Sequence, residues 1–172
     1  MGTYLDVIKV IKDSQEEIQY PQEEHFECLT LSEEFLYGVI INEEELSKYL
    51  NQEEIKSICP NWGEISLEST TSLSSEKREK YLSLLKGVMK TNSNQLLNEF
   101  LVAEGIISFG LNDLKREPKK ILGIVEKIEE SIEFSKYEED IVKKILNEFI
   151  QLKKFLHKRI DSGEYILMEY SD

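Results

Sequence analysis

The chain has 172 residues, 34 of them Asp or Glu against 21 Lys or Arg, and a formal net charge of −13. Its length and 40% hydrophobic content suffice for a buried core, which excludes wholesale disorder, and its acidity disfavours direct contact with nucleic acid. Only 8 Gly and 3 Pro are present, which favours long regular elements over a loop-rich all-β design.

The first segment, Tyr4 to Lys12, repeats apolar residues with a rhythm near three. Tyr4, Val7, Ile8 and Ile11 share a helical face, so a helix is expected despite the β-branched content. Ser14 and Glu17 have the spacing of a capping box, and Tyr20–Pro21 ends the segment. From Tyr20 to Leu29 periodicity is weak, so a loop or irregular edge is expected. Ser32 before Glu33 and Glu34 marks a helix start. The run Phe35 to Ile41 reads equally as a buried strand or a core helix. Asn42 and Asn51 then cap two short helices whose apolar positions are Leu46, Tyr49 and Leu50, and Ile55 and Ile58. Cys59 to Gly63 is a turn, Glu64 to Glu68 alternates like a short strand, and Ser69 to Ser75 is a polar connector.

Beyond the connector the pattern is helical. Helices are expected over 76–89 and 95–108, then from Pro118 with a stripe of Ile121, Leu122, Val125, Ile128 and Ile132. The longest is expected from Ser135 to Ile160, with Ile141, Ile145, Leu146, Phe149, Leu152, Phe155, Leu156 and Ile160 facing the core and Gly163 ending it. Tyr165 to Met168 is a terminal strand or an extended tail. The fold class expected is mainly α: a single-domain helical bundle over 1–172 with a small mixed N-terminal part holding one or two short strands. A sub-division into an acidic part, 1–70, and a helical part, 71–172, follows the charge. Residues 1–70 carry 16 acids and 4 lysines, a net of −12, and the remainder carries 18 acids and 17 bases, a net of −1.

The segment MGTYLDVIKVIK carries Asp6 and lacks a small-residue cleavage site, so it does not read as a secretion signal. Asp6 also occupies the position where a myristoylation motif needs Ser or Thr. No apolar run reaches the roughly 18 residues of a membrane span. A soluble cytoplasmic protein is expected, with Cys28 and Cys59 as reduced, partly buried thiols.

Motifs for chemistry are absent or incomplete. His25-Phe-Glu27 matches half of the zinc deaminase signature, without its Pro-Cys-x-x-Cys half. His25, Cys28 and Cys59 are too few and too scattered for a structural zinc site. Asn42 to Glu45 lacks the alternation and glycine of a calcium loop, and Lys154 stands where a di-iron motif ending at His157 needs Glu. No phosphate-binding loop or nucleophile elbow occurs. The expectation is therefore a non-enzyme with no cofactor and no metal. Basic pairs such as Lys115–Arg116, Lys143–Lys144, Lys153–Lys154 and Lys158–Arg159 sit among acids and read as solvated helix faces.

The charge excess itself points to function. Glu43 to Glu45, Glu53 and Glu54 suit the positive ends of helices, but Glu16, Glu23, Glu24, Glu27 and part of Glu33–Glu34 have no such local role. In size and charge the chain resembles in character the immunity proteins that bacteria pair with toxic nucleases. The expected function is to bind and inhibit a basic protein partner, such as a nuclease toxin, without touching nucleic acid or membrane. A virus-encoded acidic mimic of nucleic acid that antagonises a host defence protein, or a helical adaptor, are the alternatives. The expected partner-binding residues are Glu23, Glu24, Glu27, Glu33 and Glu34, with Trp62 as a core plug or an interface anchor.

Overall fold

A computed structural model of the protein describes residues 2–62 and 114–171. The expected helices over 76–89 and 95–108, the strand at 64–68 and the boundary near residue 70 lie outside these residues.

The centre of the described fold is a sheet, which corrects the expected helical bundle. Tyr4–Lys12 is a strand, β1, and not a helix. Its first seven residues pair antiparallel with the whole of Tyr165–Ser171, β5, from Tyr4 opposite Ser171 to Val10 opposite Tyr165. The terminal segment is thus a central strand. The other edge of β1 receives two short antiparallel strands in succession: β2, Ile18–Gln19, beside Ile11 and Lys12, and β3, Cys28–Leu31, beside Leu5 to Ile8. Outside β5 lies β4, Asn61–Trp62, in the one parallel pairing among the described residues. The helical expectation for β1 failed because both faces of the strand are covered. Leu5 and Val7 enter the main core, whereas Ile8 and Val10 pack on the opposite face with Ile18 and Leu167. A strand buried on both faces shows no polar–apolar alternation.

Ser14 and Glu17 do not start a helix. They lie in the β1–β2 hairpin turn, where the Asp13 N–H donates to the Glu17 carbonyl at 2.9 Å and the Asp13 carboxylate accepts from the amides of Gln15 and Glu17. Glu16 completes the turn in the left-handed region, at φ +62°.

Helices cover one face of the sheet. Ser32 caps α1, Glu33–Phe35, by accepting from the Phe35 amide at 3.2 Å. The ambiguous run continues it as a π turn, Leu36–Ile40, so that segment is helical. Asn42 caps α2, Glu43–Leu46, and Asn51 forms a reciprocal capping box with Glu54 at the start of α3, Gln52–Ile58. Pro118 opens α4, Pro118–Ser131, and its expected stripe is buried. The longest helix, α5, runs Glu139–Asp161; it begins later than expected because residues 134–137 form a turn, with the Tyr137 amide on the Phe134 carbonyl. At its end the Gly163 and Glu164 amides return to the carbonyls of Ile160 and Arg159, with Gly163 at φ +66°.

The core joins the sheet to these helices. Phe149 of α5 meets Phe35 edge to face, with ring centroids 5.0 Å apart, and both are fully buried. On the same helix the buried Glu148 accepts from the Ser32 amide at 2.6 Å and from its hydroxyl at 2.5 Å. α5 thereby ties itself to the mouth of α1. Leu146, expected in the stripe, is exposed instead. Arg116 is a second tie. Its backbone bridges Ile166 of β5, while its guanidinium donates to the carbonyls of Ser57 and Cys59. Burial lowers this guanidinium to about 10, which leaves it cationic at neutral pH. Arg116 therefore belongs to no solvated helix face.

Candidate protein-binding edge

β2 and β3 share one edge of β1, and the chain between them, residues 20–26, leaves the sheet as a loop. The loop is held at both ends. Tyr20 donates its hydroxyl to Glu169 at 3.3 Å, Pro21 is buried, and the Lys9 amide donates to the Glu27 carbonyl at 3.0 Å. Glu23 and Glu24 lie on a 3-10 turn, Glu23–His25, with all three side chains exposed. Phe26 follows, 45% exposed and tilted against Tyr20 at 6.3 Å between centroids. Phe26 was missed from sequence, although an aromatic beside clustered acids in an aperiodic segment was the available signal. The segment's last two residues, Cys28 and Leu29, are strand and not loop.

The structure does not gather the five expected glutamates into one face. Glu27 turns toward α5 and accepts from Arg159 at 2.8 Å and from Lys158 at 3.2 Å. The Arg159 hydrogen bond, with Lys158 behind it, holds the Glu27 carboxyl down at about 2. Glu34 is paired with Lys144 at 3.1 Å and its carboxyl is lowered, first by its own backbone amide and then by Lys144. Lys144 and Lys158 lie fourteen residues apart on α5, about 21 Å along its axis. Glu27 and Glu34 therefore mark the two ends of a strip. Glu33 is exposed and makes no ion pair among the described residues. Trp62 has its backbone in β4; its side chain lies outside the described residues.

These pairs belong to a wider pattern. Glu53 meets Lys120 at 3.4 Å and Glu54 meets Lys127 at 3.2 Å, so α3 is stitched to α4 as β3 and α1 are to α5. In each case the acid comes from the first 70 residues and the base from the remainder. Much of the charge asymmetry along the chain is thus spent inside the fold. Glu23, Glu24 and Glu33 are left free of Lys or Arg partners among the described residues; the carboxylate of Glu24 is 3.8 Å from the imidazole of His25.

The opposite face of the sheet carries a second titratable group. Asp6 stands directly across from Glu169 in the β1–β5 register and accepts from the Thr30 hydroxyl at 2.6 Å. Desolvation, with Asp6 adding to it and Tyr20 opposing it, raises the Glu169 carboxyl to about 7. Cys28 is exposed, not partly buried as expected, and Cys59 is intermediate; neither forms a disulfide. Partial desolvation against the sheet and the Asp6 carboxylate push the Cys28 thiol up to about 11, which makes it a poor nucleophile at neutral pH.

No group of three or more His, Cys, Asp or Glu side chains able to hold a metal occurs among the described residues, and none of their helices is long and apolar enough to cross a membrane. Comparison with protein families, curated proteins and solved structures finds no match to this chain.

Proposed function

We propose that the protein is a non-enzymatic binder that neutralises a basic protein partner, and that loop 20–26 is the part that meets it. The observation that carries this reading is the contrast within the acidic half. Glu27, Glu34, Glu53 and Glu54 are paired with bases of the same chain, whereas Glu23 and Glu24 project beside the exposed Phe26 from a loop anchored at both ends. Carboxylates on a fixed loop steer a cationic partner during approach, and an adjacent exposed aromatic offers the desolvated contact that slows release. A nuclease toxin, whose cleft must be basic to hold phosphates, is one partner of this chemistry. The nucleic-acid-mimic reading has less support, because the carboxylates that would continue a phosphate-like array are occupied by lysines.

The test uses the partner recovered from the source cell and follows association by surface plasmon resonance at several salt concentrations. Glu23→Lys with Glu24→Lys is expected to slow association several-fold and to flatten its salt dependence, with dissociation changed less. Glu27 is left intact, since a lysine there faces Lys158 and Arg159 and unsettles the fold. Unchanged association and unchanged salt dependence in the double variant refute the proposal.

A further inference from the structure

We propose that the outer edge of β3 receives an extended basic segment of the partner as an added strand. This deepens the reading above and rests on it: the loop would steer, and the edge would grip. The argument starts from the ladder. The Lys9 amide bonds the Glu27 carbonyl, and the register places Val7 opposite Leu29 and Leu5 opposite Leu31. In an antiparallel pair, bonded and non-bonded positions alternate. Glu27, Leu29 and Leu31 therefore direct their backbone groups to β1, and Cys28 and Thr30 direct theirs outward. Both residues are exposed, and no hydrogen bond to these outward groups occurs among the described residues. Free edges are usually blunted by Pro or Lys, and Cys28–Leu31 contains neither.

Charge selects the occupant. Glu23 and Glu24 stand before the strand and Glu33 after it, all exposed, while the intervening Glu27 and the following Glu34 are drawn to α5. Lysines or arginines near both ends of an incoming strand match this arrangement, and its backbone would supply the affinity. A second copy of this chain does not match. Antiparallel self-pairing would set the Glu23–Glu24 end of one molecule against the Glu33 end of the other, carboxylate on carboxylate.

The experiment uses the full chain and a short blocked peptide alternating lysine and valine. A control peptide has the same sequence with N-methyl groups along its pairing edge, which keeps the charge and removes strand pairing. Amide exchange is read by NMR at low salt. The first peptide is expected to slow exchange of the Cys28 and Thr30 amides about tenfold or more, and the N-methylated one to leave them unchanged. Binding of both peptides without that protection overturns the edge and leaves the steering loop standing. Failure of both to bind overturns it as well. Protection without peptide, together with a doubled mass, makes a second copy the occupant and refutes the basic segment. None of these outcomes depends on the association rates that test the loop itself.

Discussion

Glu27 and Arg159, separated by 132 positions in sequence, meet at 2.8 Å, and the guanidinium that reaches Glu27 is fully buried. Its Nε lies 3.1 Å from Glu164 and its Cζ stands 4.5 Å from the ring centroid of Phe155. Lys9 bridges the same two carboxylates, 3.0 Å from Glu164 and 3.7 Å from Glu27. The cluster fastens the C-terminal end of α5 to β1 and to the base of loop 20–26, so the geometry of the proposed binding edge depends on it. Arg159 also leaves Nη1 without a hydrogen-bond partner among the described residues, a cost that the Phe155 ring partly offsets.

Arg159 is fully buried whereas Glu27 is 35% exposed and keeps Lys158 and Lys9 beside it, so loss of the arginine acts mainly by emptying a packed site. Arg159→Ala is expected to destabilise the protein by about 2–5 kcal/mol, as large-to-small changes at buried positions do, and Lys158→Ala, whose side chain is largely exposed, by far less. Denaturant midpoints decide between them. Equal effects of the two variants contradict a buried role for Arg159.

The same cluster gives an acid limb to stability. The Glu27 carboxyl is depressed from 4.5 to about 2 in the folded protein, so the unfolded chain binds its proton first as pH falls. Its contribution is present above pH 4.5 and is lost between there and about 2. The stability gap between the wild type and Glu27→Gln is expected to close across that window in urea titrations. A gap independent of pH would mean that Glu27 is unpaired in solution.

Glu169 acts in the opposite sense. It is 6% exposed and its carboxyl is raised from 4.5 to about 7, so the folded state holds the proton more tightly. Stability is expected to decline as pH rises from 4.5 to about 7 and to level off above. Glu169→Gln removes this limb and is expected to exceed the wild type by up to about 3 kcal/mol at pH 8. Parallel pH profiles for the two proteins would show that Glu169 ionises normally.

Phe149 is fully buried against Phe35 at the junction of α5 and α1. Phe149→Ala is expected to cost about 3–5 kcal/mol by calorimetry or denaturant unfolding. A midpoint within error of the wild type would place this face of α5 outside the core.

Glu16 occupies a left-handed position, φ +62°, in the β1–β2 turn, where glycine carries no Cβ penalty. Glu16→Gly is expected to raise stability by about 1 kcal/mol, the strain relieved less the greater freedom of glycine in the unfolded chain. A lower melting temperature would count against this turn geometry.

The elements that sequence alone determined are those whose signals are local. Ser32, Asn42, Asn51, Pro118 and Gly163 place helix ends because a cap needs only its own turn, and the stripes of α4 and the core of α5 follow from spacing. Tertiary structure decided the rest. β1 is a strand because β5, β2 and β3 satisfy its backbone and cores cover both its faces, and no residue within Tyr4–Lys12 records that cover. Likewise the glutamates of the acidic half carry no mark in sequence of which will be neutralised. Glu27 and Glu34 differ from Glu23 and Glu24 only because β3 and α1 lie along α5, within reach of Lys144, Lys158 and Arg159. Coulomb interaction falls with distance in space and not along the chain, so charge composition is legible from the sequence and charge pairing is a property of the fold.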